Sequence, residues 1–235
     1  IDAAACAERG VVFCGTGTSG DPTADLTWGL ILSLARDIPR QQDALRAGRW
    51  QTHIGMGLEG KTLGVIGLGK LGGRVAKIGQ AFGMKVLAWS TNLTEERAAE
   101  IGATRVDKAT LLREADVVTL HLILSDRSRN TITAPDLALM KPTSFIVNTS
   151  RGPLIEQSAL IAALKEGRIA GAGLDVFDIE PMPADHPILA APNTVLTPHL
   201  GYVMEENYRT TYTQSVEDIE AWLDGTPVRV LEPTK

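Results

Sequence analysis

Leu63-Gly64-Val65-Ile66-Gly67-Leu68-Gly69-Lys70-Leu71-Gly72 is the stretch whose reading decides the fold. A short apolar run enters a G-x-G-x-x-G turn, after which Leu71, Val75, Ile78 and Phe82 recur at helical spacing up to Gly83. This order predicts a parallel strand buried on both faces, a tight turn, and a helix ended by glycine. The bare glycine pattern is a common string, but between a strand and a helix it fits a phosphate-binding turn. Gly67 would make the tight turn. Gly69 would let backbone approach a pyrophosphate, and Gly72 would let helix and strand pack closely. Lys70 and Leu71 open the helix, whose N-terminus offers N–H groups and a partial positive charge. The implied ligand is a dinucleotide.

Further strands and helices alternate on either side. Strands are expected at Lys85 to Trp89, Ala115 to Leu120, Ser144 to Asn148, Ala172 to Val176 and Asn193 to Leu196. Helices are expected at Glu95 to Glu100 and Ala159 to Glu166. Such alternation implies an α/β fold with a doubly wound parallel sheet, Rossmann-like. Before it, Asp21-Pro22-Thr23 starts a helix whose Leu26, Leu30 and Leu34 mark a buried face, and this helix is expected to run into the mid-forties. A loop carrying Trp50 follows. At the far end Glu205 to Leu223 is amphipathic and stops near Asp224-Gly225. The chain opens with a short helix at Ile1 to Ala5, a glycine stop at Gly10 and an expected buried strand through Val11-Val12-Phe13. That unit is already under way at residue 1, so part of it is expected to precede this stretch.

Composition narrows the function. The 235 residues are 44% hydrophobic and 22% charged, ordinary globular values. A net charge of -5 argues against a nucleic-acid surface. No run of 18 apolar residues suggests a membrane helix, and no basic stretch leading into an apolar core suggests a signal peptide. Cys6 and Cys14 match no zinc spacing. A reduced cytoplasmic compartment is the simplest reading, and a disulfide stays open. His53, His121, His186 and His199 are scattered, with no metal motif. His186, before Pro187, reads as structural.

The end of the second strand bears on the ligand's ribose. An acid there would bind ribose hydroxyls, and a nearby Arg would favour a 2′-phosphate. The sequence has Trp89-Ser90-Thr91-Asn92, with neither an acid nor an adjacent Arg. Ser90 and Asn92 can hydrogen-bond a ribose without repelling a phosphate, and all three also suit a plain turn. NAD and NADP both stay open.

Three more segments lie just past strand ends, where ligands bind in open α/β sheets. They are Asn148-Thr149-Ser150-Arg151-Gly152, then Gly173-Leu174-Asp175-Val176-Phe177 leading to Glu180-Pro181, and Thr197-Pro198-His199-Leu200-Gly201. Together with the glycine turn, and in this order, these motifs resemble the D-isomer-specific 2-hydroxyacid dehydrogenases. That family includes D-3-phosphoglycerate dehydrogenases and glyoxylate/hydroxypyruvate reductases. The likeness covers nearly the whole chain, from Ile1-Asp2 to Trp222-Leu223-Asp224-Gly225-Thr226-Pro227-Val228.

The resemblance implies an NAD(P)-dependent oxidoreductase acting on a small 2-oxo or 2-hydroxy acid. It implies that Arg151 holds the substrate's carboxylate and carbonyl, and that His199 is the proton donor in reduction. Glu180 would hydrogen-bond His199, orient it and favour its charged form. Asp175 would lie near the nicotinamide carboxamide. Thr149 and the adjacent Ser150 backbone would line the nicotinamide ribose, with Gly201 close by and Leu122 on the adenine side. The family commonly has Pro where this chain has Ile123, two residues after His121, which alters the loop beneath the adenine. The resemblance further implies a homodimer built on the helix after Thr23 and the Trp50 loop. It implies a flavodoxin-like substrate domain of which residues 1–20 are the last part, a nucleotide domain at 21–204, and a C-terminal helix and tail at 205–235 returning to the substrate domain. Two alternatives accompany this reading: phosphoglycerate as substrate, or a dinucleotide-sensing corepressor of the same fold.

Overall fold

The computed structural model describes residues 1–231. The tail expected to reach residue 235 lies outside the described residues from 232 on. The chain forms two compact units. One is Thr23–Gly201, and the other joins Ile1–Pro22 to the stretch from Tyr202 onward.

In chain order the elements are α1 (Ala3–Glu8), α2 (Pro22–Ala35), α3 (Ile38–Arg46), β1 (Thr62–Ile66), α4 (Lys70–Ala81) and β2 (Lys85–Trp89). Next come α5 (Glu95–Ala99), β3 (Thr104–Arg105), α6 (Lys108–Glu114), β4 (Val117–Leu120), α7 (Ala134–Leu139) and β5 (Phe145–Asn148). Last are α8 (Gln157–Lys165), β6 (Gly171–Leu174), β7 (Thr194–Leu196) and α9 (Glu205–Leu223).

The seven strands of the larger unit form one parallel sheet in the order β3-β2-β1-β4-β5-β6-β7. Alternate strand residues feed opposite faces, as the pleat requires. Ile66, Val118, Leu120 and Ile146 pack with Leu111, Leu112, Leu137 and Leu160 of α6, α7 and α8. Leu63, Val65, Val117 and Val147 pack with Leu30, Ile31 and Val75 of α2 and α4. Both faces are therefore dry, which is why β1 and β4 read as continuous apolar runs. The order reverses between β1 and β4, so their carboxyl ends open a crevice.

Two expectations are corrected. The helix from Pro22 does not reach the mid-forties. It ends at Ala35, Asp37 turns left-handed with φ 52°, and α3 restarts at Ile38. Pro39 is the cause. It has no N–H to give the Ala35 carbonyl four residues back, and its ring would clash there. The Met56 N–H takes that carbonyl instead, at 2.7 Å. The buried strand expected through Val11-Val12-Phe13 does not form either. Val11 and Val12 are exposed, and among the described residues the segment makes only an isolated bridge from Cys14 to Val230. Val11 N–H folds back onto Cys6 O, and the C-terminal stretch supplies further partners: Leu231 N–H donates to Phe13 O, and Gly15 N–H to Arg229 O.

In that smaller unit Asp2 caps α1 by accepting from Ala5 N–H, and Gly10 ends the turn with φ 66°. The buried Asn207 of α9 ties the unit together. Its amide donates to Tyr202 O, and its carbonyl accepts from Ser19 N–H. Arg229 pairs with Asp218 and Glu217.

The join of β1 to α4 is the tightest packing point. A Cβ on Gly72 would lie 2.0 Å from the Gly67 carbonyl oxygen and 3.2 Å from Val65 Cγ1. A Cβ on Gly69 would meet nothing within 4 Å. In urea unfolding, Gly72→Ala is expected to cost about 3 kcal/mol or more, against about 0.5 kcal/mol for Gly69→Ala. Equal stability of the two variants would contradict this packing.

Candidate active site

The glycine turn has the geometry its sequence demands. Gly67 sits at φ 99°, and a Cβ there would lie 2.5 Å from His121 O. Gly69 caps α4 without any side-chain hydrogen bond. The first N–H groups of a twelve-residue helix therefore face a space that a side chain on Gly69 would fill. A pyrophosphate fits that space: it needs close backbone approach, N–H donors and the positive end of a helix. The three glycine positions thus fit a dinucleotide.

Beside the turn lies a cleft of about 460 Å³. Its wall includes Gly67, Gly69, Ser90, Thr91, Asn92 and Leu122, all named from sequence as cofactor residues. Lys70 and Leu71 stand in the first turn of α4. The same wall contains Arg97 and Arg127, which sequence reasoning missed. They stand thirty residues apart, Arg97 in α5 and Arg127 in the turn after β4, and nothing periodic links them. Ile123 is almost fully exposed at this rim.

His121 also borders the cleft. Its Nε2 lies 2.9 Å from Thr119 Oγ1, while Nδ1 is shielded from water and has no hydrogen-bonding partner among the described residues. The residue as a whole is only half-buried, but its ring nitrogen is not, and burial lowers its pKa from 6.5 to about 4.

The other strand ends gather the remaining candidates. After β5, Asn148 shapes the turn: its Nδ2 donates to Arg151 O and its Oδ1 accepts from Ser150 N–H. Thr149 is buried with its hydroxyl 2.8 Å from Thr27 Oγ1, and the Ser150 hydroxyl donates to Leu120 O. Both hydroxyls are thus used within the fold. Arg151 is exposed, with Nη1 on Ser150 O at 2.6 Å. A Cβ on the next residue, Gly152, would overlap the Phe177 carbonyl carbon at 2.1 Å. The missing side chain lets the Arg151 loop lie against the loop that carries Glu180.

Glu180, which precedes a cis proline bond, has both carboxyl oxygens engaged. Oε1 accepts from Phe177 N–H at 2.8 Å, and Oε2 meets His199 Nδ1 at 2.6 Å. Partial burial pushes this carboxyl's pKa up. The Phe177 N–H, the His199 hydrogen bond and charge, and the Arg151 charge outweigh it and hold the pKa below the ordinary value. Glu180 is therefore ionised at neutral pH. An ionised carboxylate requires a proton on Nδ1, and Nε2 then stands on the ring's opposite side, away from Glu180.

His199 itself has φ 54°, a left-handed conformation rare outside glycine. Asp175, fully buried after β6, secures it. Oδ1 accepts from the Thr197 hydroxyl and the Leu200 N–H, Oδ2 from the Gly201 N–H, and the Asp175 carbonyl from the His199 N–H. Sequence reasoning placed Asp175 at the nicotinamide carboxamide. Here its carboxyl oxygens are committed to the His199 turn. His186, read as structural, caps a short turn: its Nδ1 accepts from Ile188 N–H. Among the described residues no group of three His, Cys, Asp or Glu could hold a metal, and no helix is long and apolar enough to cross a membrane.

A parallel sheet with a glycine-rich phosphate turn at its switch point, and a Glu–His pair beside an arginine, define a dinucleotide-binding domain of the dehydrogenase type. The chain belongs to the D-isomer specific 2-hydroxyacid dehydrogenases: residues 28–201 match the model of that family's NAD binding domain. It is 39% identical over 231 residues to a glyoxylate reductase of Aeropyrum pernix, covering 94% of this chain and 69% of that protein. It is 41% identical over 229 residues to a D-3-phosphoglycerate dehydrogenase of Methanocaldococcus jannaschii, covering 96% of this chain and 44% of that one. Among solved structures, a putative D-3-phosphoglycerate dehydrogenase oxidoreductase from Ralstonia solanacearum superposes with a TM-score of 0.91 at 39% identity, over 99% of this chain and 72% of that one.

The lowered pKa of His121 gives a test with a defined sign. The unfolded chain takes up this proton near pH 6.5, the folded chain only near 4. The stability that depends on neutral His121 is complete above pH 6.5 and is lost as pH falls from 6.5 toward 4. Between pH 7.5 and pH 5 this group should cost the wild type about 2 kcal/mol in urea unfolding. His121→Asn should be spared that loss. Identical pH slopes for the two proteins would show that His121 does not stay neutral in the fold.

Proposed function

We propose that the chain passes hydride between a nicotinamide dinucleotide and C2 of a small 2-oxo or 2-hydroxy acid, in a cytoplasmic, thiol-reducing setting consistent with the free thiols of Cys6 and Cys14. The observation that carries this reading is the 2.6 Å contact of His199 Nδ1 with Glu180, on a loop packed against the one that bears Arg151. The bound dinucleotide would supply or accept hydride at C4 of its nicotinamide. Arg151 would hold the substrate's carboxylate and carbonyl oxygens, which a planar guanidinium matches in pairs. His199 Nε2 would give its proton to the carbonyl oxygen in reduction and take it back in oxidation. Glu180 would aim the ring and stabilise the imidazolium while substrate binds.

The cofactor would lie over the glycine turn, with its adenosine along Ser90, Thr91, Asn92 and Leu122. Because the hydroxyls of Thr149 and Ser150 are used elsewhere, their backbone would border the nicotinamide ribose. Asp175 and Gly201 would shape the nicotinamide end through the turn they share with His199. Phosphoglycerate is the second substrate reading, carried by the likeness to the Methanocaldococcus jannaschii enzyme. We also infer a homodimer built on α2, α3 and the Trp50 loop, where Leu45, Trp50 and Ile54 are exposed. Sedimentation of a monomer at micromolar concentration would sink that inference.

His199→Ala is expected to cut turnover by about a hundredfold to ten-thousandfold, with a far smaller loss of cofactor affinity. Assays of glyoxylate, hydroxypyruvate, bulkier 2-oxo acids and, in the oxidative direction, D-3-phosphoglycerate would show this and rank the substrates. A wild-type rate for His199→Ala on every substrate tried would overturn the mechanism. Glu180→Gln removes the charge opposite the ring, so the high-pH limb of the reduction rate, which needs a protonated His199, should move to lower pH. An unmoved limb counts against the pairing.

A further inference from the structure

We propose that the cleft beside the glycine turn is built for the 2′-phosphate of NADP(H). This deepens the cofactor reading above and rests on it. The carboxyl end of β2 is where a dinucleotide's adenosine ribose lies when its pyrophosphate sits on the turn after β1. An acid at that strand end would accept from both ribose hydroxyls and repel a phosphate dianion. This chain has Ser90, followed by Thr91 and Asn92, and all three side chains can donate to phosphate oxygens. The turn is held by a hydrogen bond from Leu93 N–H to Ser90 O, which leaves the three side chains at the cleft.

The second observation is charge. Sixteen residues line the cleft; Arg97 and Arg127 are among them, and no Asp or Glu is. The two arginines come from separate segments, Arg97 from α5 and Arg127 from the turn after β4, so their convergence is a product of the fold. The acids nearest in sequence are Glu95, Glu96, Glu100 and Asp126, and all lie off the wall. Glu100 does pair with Arg97 Nη1 at 2.6 Å, but both side chains are more than half exposed. Exposed pairs of this kind are weak and exchange readily for a stronger anion. A dianion with three acceptor oxygens is such an anion, and guanidinium groups bind it through two parallel hydrogen bonds.

The test uses nucleotide halves, so that it needs no substrate. The chain is titrated calorimetrically with 5′-AMP, with 2′,5′-ADP, and with NADH and NADPH. One or two charge-assisted hydrogen bonds to the extra phosphate should make 2′,5′-ADP bind about tenfold to a hundredfold more tightly than 5′-AMP. NADPH should exceed NADH by a similar ratio, and the advantage should shrink in high salt. Arg97→Ala with Arg127→Ala should bring the ratio close to one, and Ser90→Asp should reverse it. Equal binding of the two mononucleotides, or tighter 5′-AMP, overturns the 2′-phosphate assignment and leaves the dinucleotide site standing. Failure of all four ligands to bind overturns both.

Discussion

The carboxyl group of Asp175 is the constraint on which the site depends. It is wholly buried at the end of β6, yet it reaches across to the turn after β7 and holds three donors there. A residue with a side chain at φ 54° costs about 1–2 kcal/mol relative to an ordinary conformation. Hydrogen bonds of about 1 kcal/mol each, three at the carboxyl and one at the Asp175 carbonyl, offset that cost. His199 is thus held where a free chain would not leave it. Glu180 meets it at 2.6 Å, from a loop against which the Arg151 loop can lie because Gly152 has no side chain. The place of His199 thus rests on a buried clamp, and the place of Arg151 beside the Glu180 loop on an absent methyl.

How much of this the sequence shows varies with the physics behind each element. Strands of a parallel sheet covered on both faces must be apolar throughout, so β1, β2, β4 and β5 are legible to within a residue or two of their ends. The long α9 is equally plain, since its amphipathic pattern runs for five turns. The short helices α6 and α7 are too brief to establish a period. Their caps were nonetheless present in the sequence: Asp107 accepts from Thr110 N–H, and Thr133 with Asp136 makes a capping box ahead of the first turn. The helix over-extended past Ala35 shows the opposite error. Periodicity carried the pattern onward, while Pro39, a single residue, stopped it.

The site divides in the same way. Arg151, Glu180 and His199 stand out as motif residues because each follows a strand, and the resemblance supplies their roles. The contacts among them are long-range and appear only in three dimensions. Asp175 is the instructive case: its motif is visible, but where its oxygens point depends on Thr197 and on backbone donors at Leu200 and Gly201. Backbone N–H groups carry no signature in a sequence. The same holds for Thr149, whose hydroxyl partner Thr27 lies on a helix more than a hundred residues earlier.

The strand order of the sheet sets two groups of loops on different supports. The residues around the cleft beside the glycine turn hang from β1, β2 and β4, while Arg151, Glu180 and His199 follow β5, β6 and β7. A change in one set need not disturb the strands that carry the other. On the roles proposed above, choice of electron donor and competence in proton transfer would be separable traits in this architecture. A lineage could exchange one nucleotide currency for another by altering a few exposed turn residues, with the proton-handling end kept under independent selection.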